Sequence, residues 1–80
     1  MPRERHIRTY VDRWPSGVLG EVEVRTHTLV YSVRTPEGEA IWSRTVKIRP
    51  GGSRWRNAAL SAAREQDRIA GQEDLQRTRA

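Results

Sequence analysis

The chain predicts an α+β domain: a three- or four-stranded antiparallel meander followed by one C-terminal helix packed on one face. Three observations carry that expectation. Apolar residues alternate with polar ones in several short runs between Val18 and Arg49, the runs are separated by Gly- and Pro-containing turns, and from Ser53 the apolar period lengthens to that of a helix.

The first regular run, Val18 to Arg25, sets Val22 and Val24 against Glu21 and Glu23, as a half-buried strand requires. The second, from His27, places Leu29, Tyr31 and Val33 on one face and Val30, Ser32 and Arg34 on the other. Pro36-Glu37-Gly38 then reads as a type I turn with Gly38 in the left-handed position of a short hairpin loop. The third run sets Ala40, Trp42, Val46 and Ile48 against Ile41, Ser43, Thr45, Lys47 and Arg49. Arg44 shares the parity of the core residues, which calls for either a bulge or a place at the rim where its head reaches water; the rim is the expectation. Upstream, residues 1–16 form an N-terminal arm or a short edge strand within "RHIRTYV", closed by the turn Trp14-Pro15-Ser16-Gly17.

Pro50, Gly51 and Gly52 end the last strand, and Ser53 is an N-cap for a helix reaching Ala70. On a helical wheel Trp55, Ala58, Ala59, Ala62, Ala63, Ile69 and Ala70 share an arc that only Gln66 interrupts, while Arg54, Asn57, Ser61, Arg64 and Arg68 lie opposite. The alanine stripe lets the helix approach the sheet closely, so bulk must come from Trp42, Tyr31 and the strand aliphatics. Gly71 is the expected stop, leaving 17–71 as the β-β-β-α core domain and 72–80 as a frayed or disordered tail.

Eighty residues make one domain with a small core, which argues against a deep catalytic pocket. There is no cysteine, hence no disulfide, thiolate metal site or thiol nucleophile. His6 and His27 fall in different elements without matched carboxylates, and Glu21 and Glu23 read as a solvated strand face. No metal, cofactor or catalytic residue is therefore expected, and the chain reads as a non-enzyme. No apolar run approaches the ~18 residues that span a bilayer, so the expectation is a soluble, unprocessed, cytoplasmic protein with no membrane partner.

Charge is the most specific signal. The net charge is +5, fourteen of the fifteen basic residues are arginine, and no acidic residue occurs between Ala40 and Arg64. Arginine suits bidentate contacts to phosphates and base edges. Arg54 and Arg56 occupy the first helical turn, where a cation opposes the helix dipole at a cost of about 0.3–1 kcal/mol each. An anion seated there would offset that cost. The candidate nucleic-acid-binding residues are accordingly Arg44, Lys47, Arg49, Ser53, Arg54, Arg56, Asn57, Arg64 and Arg68. The expected function is a small basic binding module for nucleic acid, DNA favoured over RNA. The alternative is a protein-interaction module, a small regulator, inhibitor or adaptor that docks on an acidic protein surface. A homodimer through an exposed edge strand is compatible with both.

In its element order and its hairpin "YSVRTPEGEAIWSR" the chain resembles small three-stranded DNA-binding modules, the plant ethylene-response-factor type and the arm-binding domains of some integrases; that resemblance implies a sheet entering the major groove. "GGSRWRNAALSAAR" resembles the last helix of a double-stranded RNA-binding domain, although the first helix of that fold is missing and the alanine spacing is shifted. The diagnostic motif residues of these modules are absent, so no family membership is inferred.

Overall fold

A computed structural model describes residues 4–49 and 51–79. Pro50 and the first residues of the predicted N-terminal arm lie outside the described residues. Four strands and one helix follow in chain order: β1 His6–Arg13, β2 Leu19–Arg25, β3 Thr28–Arg34, β4 Ala40–Lys47 and α1 Arg54–Arg79. The sheet is an antiparallel meander in the order β1-β2-β3-β4, with α1 across one face, which is the predicted α+β architecture with its fourth strand present.

Two hairpins close with the same chemistry. In Trp14-Pro15-Ser16-Gly17-Val18 the Trp14 amide donates to the Val18 carbonyl at 2.8 Å and the Gly17 amide to the Trp14 carbonyl at 2.8 Å. Thr35-Pro36-Glu37-Gly38-Glu39 repeats the pattern at 2.8 and 2.9 Å. Proline presets the first turn position, and the glycines take φ of 95° and 93°, a region that side chains with a Cβ avoid. Both turns lie at one end of the meander and touch, since a Cβ on Gly17 would stand 3.1 Å from the Pro36 ring.

The register sorts the side chains as the alternation predicts except at Ala40, which a bulge carries off the core face and leaves exposed. Val22 faces Tyr31 across β2–β3, and Tyr31, Val33 and Leu29 face Arg44, Trp42 and Val46 across β3–β4. A register shift falls between Val33 and Arg34, where Ala40 rather than Ile41 pairs with Arg34. The bulge therefore lies upstream of Arg44, and Arg44 keeps its core parity.

The core has two parts. Tyr31, Val46 and Ala62 pack with Trp42, Trp55, Ala58, Ala59 and Ala63, while Val18, Val33 and Ala70 pack with Trp14, Trp42 and Ile69. The helix arc read from the sequence is thus the buried one. Gln66 belongs to it: its Nε2 donates to the carbonyls of Glu21 at 2.8 Å and Ser32 at 2.9 Å, above Gly20, where no side chain stands in the way. A buried amide that bonds the sheet backbone in this way satisfies its own polarity.

One boundary departs from expectation. The helix does not stop at Gly71, and 72–79 are helical rather than a frayed tail. Tertiary contacts hold that extension. Gly71 lies against the Trp14 ring, Asp74 Oδ1 accepts the Ser16 amide at 2.8 Å, and the Arg77 guanidinium reaches Glu73 at 3.4 Å and Glu37 at 3.9 Å. The two proline turns thus dock on the last turns of α1.

Candidate nucleic-acid interface

Because α1 runs back along the sheet toward the proline turns, its N-terminus lies at the opposite pole, beside the end of β4. Arg49 accepts the Gly52 amide on its carbonyl at 3.1 Å, and the Ser53 carbonyl accepts the Arg56 amide at 3.2 Å, which starts the helix. No acidic residue stands in the first turn. The glycine turn leaves two adjoining depressions. One, of about 560 Å³, is lined by Lys47, Arg49, Ser53, Arg54 and Trp55; the other, of about 370 Å³, by Ile48, Arg49, Trp55 and Arg56. A third, of about 460 Å³, continues around Lys47 and Arg49 to Glu4 and His27. The Arg56 guanidinium sits 5.9 Å from the Trp55 ring centre, which holds its head near the helix surface.

Ion pairing divides the candidate residues into two groups. Arg44 and Arg68 both reach Glu65, each at 3.5 Å, and Arg68 also approaches the Gln72 side-chain oxygen at 3.5 Å. By contrast, among the described residues no carboxylate lies within ion-pair distance of Lys47, Arg49, Arg54, Arg56 or Arg64. The five are exposed, as are Ser53 and Asn57. Lys47, Arg49, Ser53, Arg54 and Arg56 are thus brought to one pole. Asn57 follows on the first turns of α1, Arg64 lies farther along its outer side, and Arg44 and Arg68 are tied to Glu65 near the middle of the helix.

The remaining arginine pairs lie on the sheet face away from α1, with Arg25 at the same pole as Lys47 and Arg34 toward the proline turns. Arg25 pairs with Glu23 at 2.9 Å and with Glu4 at 3.8 Å, and Arg34 with Glu21 at 3.4 Å. The hydrogen bond from Arg25, followed by that from His6, whose Nδ1 lies 2.9 Å from Glu23 Oε2, holds the Glu23 carboxyl below the usual carboxylate range. Burial pushes the Tyr31 hydroxyl in the opposite direction, above its usual value.

Two features of this surface escape a reading of the sequence. Glu65 as the shared partner of Arg44 and Arg68 was half legible, because Glu65 and Arg68 are spaced i,i+3 on a helix; the Arg44 contact spans 21 residues and depends on how the helix lies on the sheet. Leu60 is the second. It is 52 % exposed and sits one turn from both Arg56 and Arg64. Among the described residues no three His, Cys, Asp or Glu side chains group as metal ligands, and no helix is long and apolar enough to cross a membrane.

Compared with protein-family models, curated proteins and solved structures, the chain matches none of them.

Proposed function

We propose that the protein is a nucleic-acid-binding module that engages the phosphate backbone with the pole formed by the end of β4 and the start of α1. One observation carries this reading: Lys47, Arg49, Arg54 and Arg56 line adjoining depressions around a helix start without acidic residues in its first turn, and among the described residues no carboxylate lies within ion-pair distance of them. Backbone amides at a helix start and flanking guanidiniums suit phosphate oxygens, and an anion there removes the unfavourable interaction of Arg54 and Arg56 with the dipole. Duplex DNA is the first ligand to test.

Four cations at one pole, none ion-paired among the described residues, correspond to a slope of log K against log salt of about −3 to −4 on duplex DNA. Arg54→Glu with Arg56→Glu removes binding while raising the melting temperature of the free protein, since the dipole now favours the new side chains. Fluorescence titration of duplex DNA, single-stranded DNA and duplex RNA at two salt concentrations measures both slope and preference. Binding weaker than about 10⁻⁴ M to all three at low salt overturns the reading.

A second reading, a protein-interaction module docking on an acidic protein surface, is favoured by Leu60, an exposed apolar side chain between Arg56 and Arg64. A protein partner uses such an anchor, whereas phosphate contacts do not require it. Leu60→Ser leaves the DNA titration unchanged under the first reading and weakens partner binding under the second.

A further inference from the structure

β1 stands apart from the other strands. It is an edge strand, α1 contacts β2, β3 and β4 but not β1, and all eight of its residues are exposed. Among them are Ile7 at 60 %, Tyr10 at 53 % and Val11 at 57 %. Proteins blunt such edges with bulges, prolines or charged side chains; the charges of β1 are of both signs, Arg8 and Arg13 with Asp12, and Arg8 and Asp12 are spaced so that a symmetric partner pairs them. Here the bulge is confined to His6–Arg8, and from Arg8 to Arg13 the strand is regular and free of proline. We infer that this edge receives β1 of a second copy of the chain, antiparallel, with Tyr10 on the two-fold axis, so that two four-stranded sheets join into one.

The strand's own pattern selects both the occupant and the register. The Trp14-to-Val18 hydrogen bond continues the β1–β2 register, so Arg8, Tyr10 and Asp12 turn their backbone groups to β2, and Thr9, Val11 and Arg13 turn theirs to the open edge. In an antiparallel pair about a two-fold axis the axial residue meets itself, and opposed residues share a face. With Tyr10 axial, Thr9 exchanges backbone bonds with the partner's Val11, and Arg8 stands opposite the partner's Asp12, twice. Asp12 is the only acidic residue of β1. Moving the axis to Thr9 sets Arg8 against the partner's Tyr10, and moving it to Val11 sets Asp12 against that same ring; only the Tyr10 axis sets Arg8 opposite the partner's Asp12. The two Tyr10 rings then meet in a non-hydrogen-bonded pair, where side chains approach most closely. This self-complementarity fits a second copy better than an unrelated strand.

Sedimentation velocity over a dilution series tests it. The wild-type chain sediments at twice its 9.2 kDa mass and dissociates on dilution. Arg8→Asp and Asp12→Arg each create two like-charge pairs and weaken association by roughly tenfold or more. The double variant Arg8→Asp/Asp12→Arg restores it, which a misfolded chain would not do. Tyr10→Cys, in a chain with no other cysteine, forms an intermolecular disulfide on mild oxidation, because axial Cα atoms about 4.5 Å apart lie within disulfide reach. A single 9.2 kDa species up to about millimolar concentration overturns the inference. So does a dimer indifferent to the charge reversals, or single variants that the exchange does not rescue.

Discussion

Individual side chains in this protein act mainly through whom they meet. Glu23 is a half-buried carboxylate held low by Arg25 first and His6 second. A depressed folded-state pKa contributes stability above the ordinary carboxylate value, and that contribution is lost as pH falls through the depressed one. Replacing Arg25 with Ala therefore raises the Glu23 pKa more than replacing His6 does, and each change shifts acid unfolding accordingly; an NMR titration of the Glu23 carboxyl reads both. Gln66 is the opposite case, a buried amide with two strand carbonyls as acceptors. Gln66→Ala removes both bonds and leaves a void, and chemical denaturation should record a loss of about 1–3 kcal/mol.

At the scale of elements, the alanine stripe and the two proline turns govern how close α1 lies to the sheet and how far it runs. Ala62 is fully buried between Tyr31 and Val46, so Ala62→Leu overpacks the contact and destabilises by about 1–3 kcal/mol. The two glycines that flank the helix's far end behave oppositely. Gly17 has φ of 95° and the Pro36 ring 3.1 Å from its missing Cβ, so Gly17→Ala lowers the melting temperature. Gly71 is helical, and its missing Cβ would meet the Trp14 ring at 3.6 Å, an ordinary contact. Gly71→Ala therefore stabilises by up to about 1 kcal/mol, the helix-propensity difference. A destabilised Gly71→Ala would mean that Trp14 needs a closer approach than this contact gives.

For the whole molecule, charge is distributed by pole. The proline-turn end joins Glu37, Glu73 and Asp74 to Arg77 and the chain turns, while at the helix start Lys47, Arg49, Arg54 and Arg56 have no carboxylate within ion-pair distance among the described residues, Glu4 being the acid that shares a depression with Lys47 and Arg49. Glu65 stands between, holding Arg44 and Arg68. Glu65→Gln releases both, so under the proposed function the affinity for duplex DNA rises and the salt slope steepens by about one to two. An unchanged slope in that variant would confine the interface to Lys47, Arg49, Arg54 and Arg56.

Local periodicity and turn chemistry were legible because their causes lie within a few residues of one another. The alternation around Val22, Tyr31 and Val46 set the sheet faces, Pro36-Glu37-Gly38 set its turn, and the arc from Trp55 to Ala70 set the buried side of the helix. The candidate cations were legible as a run without acids. Contacts between distant segments decided the rest. Gly71 reads as a stop in isolation, yet Trp14 and the Ser16–Asp74 bond carry the helix past it. Arg44 reads as one more cation, yet the crossing of α1 over β4 brings Glu65 to it. Residues 1–16 read as an arm or a short edge strand, but only the placement of the helix over β2, β3 and β4 leaves β1 uncovered. Backbone preference and burial period are properties of the chain itself; which charges neutralise one another and which edge stays open depend on distances that exist only once helix and sheet have packed.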